Sequence, residues 1–358
     1  MNKKNIIVLI LSILVLTGGA CQFKMGKEKE EVPADAGVYK TINAGEEWKQ
    51  IKLVPSISGA PGSIAKVSVY TMEMDLQDNN AIYLGTERSG IYYTYDGGVR
   101  WNHIKSFPKG KVYSIKVDPK NKCVIYATFK NSVKKTVDCG RTWETVFIDN
   151  DTKVSITALA IDLNNSNIIY AGTSKGVIHK SFDSGNRWST PFYKIKDSII
   201  KFLVDKHNPN IIYLATKKKG IFKTENAGVS WSDINSGLKE FKGYNSYKNL
   251  FFNVSKKDSL ILVCKYGLLK TEDGGISWTS IPLLTSPGKA DIKVAMFDPK
   301  DNSIIYYATK TTFYKTINNG SDWTTKKMFS SKSATYMMSD PENSSIMYMG
   351  FSHPAIKK

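Results

Sequence analysis

Beyond residue 36 the chain is organised by short apolar runs that return at near-regular intervals. Seven of them are close copies: AIYLGT (81–86), VIYAT (124–128), IIYAGT (168–173), IIYLAT (211–216), LILVCK (260–265), IIYYAT (304–309) and IMYMGF (346–351). Four to six residues rich in Ile, Val, Tyr and Leu, bounded by polar turns, predict buried strands rather than helices. Each run has an apolar segment before it, usually ending in an Asp turn, as in VYSIKVDP (112–119), ITALAIDL (156–163) and IKVAMFDP (292–299). After each run but the last comes a third segment of one pattern: GIYY (90–93), SVKK (132–135), GVIHK (176–180), GIFK (220–223), GLLK (267–270) and TFYK (312–315). A seventh copy of that third segment, GVYK, stands alone at 37–40.

The third segments lead into an eight-residue phrase that closes on each of the seven tryptophans: TINAGEEW, TYDGGVRW, TVDCGRTW, SFDSGNRW, TENAGVSW, TEDGGISW and TINNGSDW, ending at Trp48, Trp101, Trp143, Trp188, Trp231, Trp278 and Trp323. Successive tryptophans lie 42 to 53 residues apart, the spacing of a repeat with four strands per unit. The third place is Asp or Asn (Asn43, Asp96, Asp138, Asp183, Asn226, Asp273, Asn318), a side chain that accepts backbone N–H groups within a turn. Glycine holds the fifth place, where a positive φ closes the turn. The tryptophan starts the outgoing strand and brings a large apolar surface to the neighbouring unit.

This phrase resembles the Asp-box, or BNR, repeat of bacterial sialidases, sortilin-type receptors, xyloglucan-cleaving propellers and the photosystem II assembly factor. The resemblance implies an all-β fold, a seven-bladed β-propeller of four-stranded antiparallel blades. Seven second strands are present, but no phrase follows the last, and the orphan third strand, phrase and fourth strand of Gly37 to Ile51 supply the missing half. The ring is therefore expected to close by pairing N- and C-terminal strands in one blade, which removes exposed sheet edges. Residues 355–358 compete with Gly37–Thr41 for the third-strand place.

Residues 1–36 read differently. Lys3 and Lys4, the apolar stretch from Ile6 to Leu16, and Gly18-Gly19-Ala20 before Cys21 are the pattern of an export signal, too short for a membrane span of about 20 residues. Small residues before a cysteine resemble the lipobox of bacterial lipoproteins, which implies lipidation of Cys21 and a place on the outer face of the bacterial cell membrane. Here Gly18 stands where the family usually has Leu, and a secreted protein with an incidental Cys21 is the alternative. The organisation expected is a signal peptide at 1–20, an anchor cysteine and flexible tether at 21–36, and the propeller at 37–358.

Charge adds a direction. There are 50 Lys+Arg against 32 Asp+Glu, a formal net charge of +18, and only Arg88, Arg100, Arg141 and Arg187 are arginines. The three arginines that hold a carboxylate on the central face of sialidases have no counterpart, because Arg100, Arg141 and Arg187 all sit inside the phrase. In an antiparallel meander the phrases share one end of the blade with the Asp turns, and the turns between second and third strands lie at the other. Those turns carry Arg88, Lys130, Lys175, Lys217, Lys218, Lys219, Lys265, Tyr266 and Lys310, the candidate ligand face. Interblade connections add aromatics such as Phe107, Phe241 and Tyr244, and the acids Glu87, Asp149, Asp151, Asp197, Glu240 and Asp291 fall on the same face.

A basic face suits a protein partner or an anionic cell-envelope polymer. Paired carboxylates for glycoside cleavage are the alternative. No catalytic residue, cofactor, metal site or nucleic-acid partner is expected, and the protein is expected to be a monomer. Cys123 and Cys139 fall at one end of a hairpin, where a disulfide and two free thiols both remain open, while Cys264 reads as a strand residue.

Overall fold

The computed structural model describes residues 35–57, 59–252 and 256–353, with the backbone alone for 190–194. The proposed signal peptide, Cys21 and all of the tether before Asp35 lie outside the described residues, as do 355–358. Seven four-stranded antiparallel sheets make up the fold. Their first strands, Val69–Asp75, Ile115–Asp118, Ile156–Ile161, Ile199–Val204, Tyr247–Phe252, Val294–Phe297 and Ser333–Ser339, head blades 1 to 7 in order. Each first strand touches the next, and the seventh touches the first, so these strands line the axis of a closed ring.

Blade 7 is the seam. Gly37–Thr41 pairs along its whole length with the C-terminal strand, Gly37 opposite Phe351 and Thr41 opposite Met347, and Lys49–Ile51 completes the sheet. The third-strand place thus belongs to the N-terminal segment. Val38, fully buried among Ile64, Val69, Ile82, Trp101 and Tyr348, ties the seam to blade 1. The apolar clusters lie between blades rather than within them: Tyr213 and Ala215 of blade 4 pack on Leu250 and Leu262 of blade 5. Fully burying one such side chain stabilises by roughly 1.5–3 kcal/mol.

The repeated phrase forms the same hydrogen-bond set seven times. In the box of blade 5, the Thr271 hydroxyl donates to Asp273 Oδ1 at 2.7 Å and accepts from Gly275 N–H at 2.9 Å. Asp273 Oδ1 in turn accepts from Ser277 N–H at 3.0 Å. The fourth residue of each box donates its N–H to a carbonyl in the turn between first and second strands, as Ala44 does to Ser345 and Ser184 to Asn167, which places the boxes and the Asp turns at one end. Two consecutive positive φ angles make the turn: glycine at the fifth place and also the fourth residue, which is Ala44, Cys139, Ser184, Ala227 or Asn319 in five copies. Each tryptophan leans on the preceding blade; Trp101 Nε1 donates to Ile51 O and Trp323 Nε1 to Pro282 O.

A second device joins consecutive blades. In blades 2, 3 and 7 the second-strand tyrosine and the third-strand lysine converge on the carbonyl of the fourth box residue in the next blade. Ser184 O accepts from Tyr126 Oη at 3.0 Å and Lys135 Nζ at 3.1 Å. Ala227 O accepts from Tyr170 and Lys180, and Gly97 O from Tyr348 and Lys40. In blade 5 the tyrosine is replaced by Ile261, and the lysine, Lys270, turns to Glu272. Lys135 and Lys180 are buried, so part of the positive charge that sequence alone assigns to the surface holds blades together.

Candidate functional site

The end opposite the boxes carries the second-to-third-strand turns and the start of every axial strand. Those starts are irregular. In blades 1, 3, 4, 5 and 7 the ladder skips one residue near the start of the axial strand, at Tyr70, Thr157, Ile200, Lys248 and Thr335. A bulge of this kind re-aims the side chains that follow it. The result is a polar, aromatic mouth on the axis, a cavity of about 270 Å³ lined from six blades.

Glu73 of blade 1 and Lys116 of blade 2 meet in it, both carboxylate oxygens lying 2.8 Å from Lys116 Nζ. The register row that holds these two is otherwise apolar, with Leu203, Phe251, Met296 and Met338 opposite the equivalent second-strand positions. Lys201 of blade 4 stands one step nearer the opening. Its Nζ donates to Asn249 Oδ1 at 3.0 Å and lies 4.9 Å from the Phe251 ring centre. Burial, with the like charge of Lys116 adding to it and Glu73 opposing, lowers the Lys201 ammonium to about 7. Tyr247 and Tyr336 complete that side, and burial pushes both phenols above the ordinary tyrosine range. Across the cavity Tyr70 and Tyr113 meet edge to face at 5.4 Å, with Lys111 Nζ 3.9 Å from the Tyr70 ring centre and paired to Glu87.

Around this mouth lie the residues that the sequence singles out. Arg88, Lys130, Lys175, Lys217, Lys218, Lys219, Lys265 and Lys310 are all exposed in their turns. Lys175 is ion-paired with Asp151, and the backbone N–H groups of Lys218 and Lys219 both donate to Asp197. A further hollow of about 390 Å³ lies between Lys218, Lys219, Tyr244 and Asn245. Tyr266 is half-buried and packs on Phe241 at 5.1 Å. Phe107 and Phe241 are buried, so these aromatics support the rim from beneath.

The acids of this end are held rather than paired with one another. Asp291 accepts from Lys248 and Lys293, Asp149 faces His179, and Asp151 is bound by Lys175. Lysine contacts pull the carboxyls of Asp151 and Asp291 below the ordinary range. The one carboxyl raised among the described residues is Asp75, lifted by burial at the box end. Among the described residues no group of three or more His, Cys, Asp and Glu side chains is arranged to hold a metal, and no helix is long and apolar enough to cross a membrane.

Sequence reasoning located the rim but not the mouth. Glu73, Lys116 and Lys201 sit in axial strands that read as plain buried strands, and the bulges that precede Glu73 and Lys201 leave no mark in the alternation. Isolated charges inside three such segments, MEMDL, IKVD and IKFLV, were the available signal.

Comparison with known proteins agrees with this architecture. The Sortilin-Vps10 family profile (sortilin, neurotensin receptor 3) matches residues 176–283, under a third of the chain. No curated protein sequence matches significantly. Among solved structures, a GH74 enzyme from Niastella koreensis superposes with a TM-score of 0.61 at 16% identity, covering 85% of this chain and 53% of the enzyme. YCF48 bound to D1 peptide gives 0.61 at 13%, covering 86% and 96%. The extracellular domain of a proposed one component system from B. thetaiotaomicron gives 0.59 at 13%, covering 86% and 44%. The chain spans about half the length of the GH74 structures it matches. At these identities the likeness is one of fold, and with seven box turns in place the chain is a seven-bladed β-propeller built from Asp-box repeats.

Proposed function

We propose that this protein is a non-enzymatic binding or assembly scaffold of the cell envelope, exported through residues 1–20, lipid-anchored at Cys21, and engaging a protein partner or an anionic envelope polymer through its mouth end. The observation that carries the reading is the charge arrangement there. Six blades place exposed basic side chains around the opening, while most of the neighbouring acids are taken up by lysines or backbone N–H groups. Such a rim draws in acidic partners and is screened by salt. A solved relative by fold, YCF48, is bound to a peptide, which supports protein recognition by a propeller of this size.

The GH74 likeness supports a second reading as a glycoside hydrolase. That chemistry needs an acid whose proton is retained near neutrality beside a second carboxylate, and the lysine-held acids of this end favour binding over hydrolysis. The test is charge reversal at Lys217, Lys218 and Lys219 to Glu. Retention on anionic envelope polymer, or crosslinking to a partner in intact cells, is expected to fall several-fold and to weaken with salt in the unmodified protein. Unchanged, salt-insensitive retention would overturn the reading.

A further inference from the structure

The axial mouth holds a charge imbalance that the rim does not explain. Glu73 gives both oxygens to Lys116, Glu87 is paired with Lys111, and Lys248 is taken by Asp291 and by Ile292 O. Lys201 differs. Its contacts are a neutral amide and an aromatic ring, and among the described residues no carboxylate lies within ion-pair distance of it. A half-buried ammonium without a counter-charge is costly, and the fold presents it inside a cavity instead of letting it reach solvent on a turn.

The lining is suited to one small anion. Asn249 Oδ1 accepts from Lys201 and from Leu250 N–H, which leaves its Nδ2 to donate. Tyr247 and Tyr336 bring hydroxyls that burial keeps protonated. The hydroxyls of Thr157 and Thr335 are committed to backbone carbonyls. Tyr70, Tyr113 and Phe202 supply flat apolar surface. A volume of about 270 Å³ equals on the order of nine waters at their liquid volume, which leaves room for a benzoate or a single amino-acid residue.

We propose that the mouth is a receptor site for one carboxylate carried on a flat or apolar body of that size, with Lys201 as its counter-charge and Asn249, Tyr247 and Tyr336 as neutral donors. One uncommitted positive charge matches a monoanion. A phosphate dianion would leave a negative charge unpaired in the same cavity. The carboxylate comes either from a free small acid or from the end of a partner's chain. In the second case the inference rests on the binding role proposed above. The two fail separately, because the rim lysines lie outside the cavity.

The experiment is titration of the full chain, with the lysine ε-carbons isotopically labelled, by benzoate, benzamide, N-acetyl-phenylalanine, its amide and inorganic phosphate. Benzoate or N-acetyl-phenylalanine is expected to shift the Lys201 signal and the two amides are not; whichever acid binds tighter identifies the free acid or the chain end as the source. Lys201→Met is expected to weaken acid binding about tenfold or more, the loss of a charge-assisted hydrogen bond, while Lys201→Arg stays within a few-fold. Charge reversal at Lys217, Lys218 and Lys219 should leave acid binding intact even where it abolishes partner retention. A silent Lys201 signal with both acids, equal binding by the Met variant, or phosphate binding as tightly as the acids would overturn the proposal.

Discussion

Each Asp-box turn depends on a side chain that accepts at least two hydrogen bonds, from the box hydroxyl and from a backbone N–H four residues on, and the choice of Asp or Asn at that place has a measurable consequence. In Asp273, burial raises the carboxyl, but hydrogen bonds from the Ser277 hydroxyl and N–H and from Thr271 outweigh it and hold the group at about 2. Asp96, Asp138 and Asp183 are likewise lowered. A carboxyl lowered in the folded state stabilises the fold above its ordinary value of 3.8 and loses that contribution as pH falls toward 2. Replacing all four by Asn, the residue already used in the boxes of blades 4, 6 and 7 (Asn226, Asn318 and Asn43), is therefore expected to flatten the acid unfolding curve between about pH 4 and 2 with little change near neutrality. Thermal melts across that range would check it. The third and fifth places of the phrase were legible because Asp and Gly are the residues such turns demand. The fourth was not, since its positive φ falls on Ala44, Cys139, Ser184, Ala227 and Asn319, whose identities give no hint of it. Cys139 in that position meets Cys123 across the hairpin, with Cα atoms 4.0 Å apart and sulfurs in bonding contact. If the pair is oxidised in the cell, closing a loop of this length is worth about 3 kcal/mol; reductant should lower the melting temperature of the native chain and leave a Cys123→Ser, Cys139→Ser variant unmoved.

At the scale of strands, the tyrosine and lysine that converge on one carbonyl of the following blade tie blades 2, 3 and 7 each to the next. Removing the Tyr126 hydroxyl with Phe should cost about 1 kcal/mol, because Lys135 still donates to Ser184 O. Adding Lys135→Met strands that carbonyl, so the double variant is expected to lose more than the two single losses combined, as read from a double-mutant cycle in denaturant. The apolar second strands were plain in the sequence, each a run with no polar interruption. The axial strands were only half legible. Their existence followed from the Asp turns, but the skipped residue at Tyr70, Thr157, Ile200, Lys248 and Thr335 shifts which side chains face the axis, and one-residue slips do not show in a pattern of period two. The mouth was therefore hidden even though its boundaries were not.

For the molecule as a whole, stability and recognition are set against each other at Lys201. Its ammonium is lowered to about 7 by burial and by Lys116, against Glu73, and it faces Asn249, Phe251, Tyr247 and Tyr336 around the opening. A lysine lowered in the folded state burdens the fold below that value and is relieved as pH rises toward 10.5. Lys201→Met is thus expected to raise the melting temperature at pH 6 and to lack the upward drift of the native chain between pH 7 and 10. The seam makes the opposite case, a position that tolerates nothing. Val38→Asp would put an unpaired charge at a site with no exposure, a cost of several kcal/mol, and is expected to abolish cooperative unfolding as seen by tryptophan fluorescence.

The seam also decides how the protein should be handled. Asp35 is held by Ser330, Ser331 and Lys332, Gly37 N–H bonds to Val67 O, and His353 N–H bonds to Ser68; all of these partners lie in connections at the end that carries the mouth. A tag, linker or immobilising group attached directly before Asp35 or after His353 is therefore expected to compete with a partner that docks at the mouth end as proposed. A label set into the exposed turn at Glu342–Asn343, on the box end, leaves that side open, and capture assays built on it would present the mouth outward.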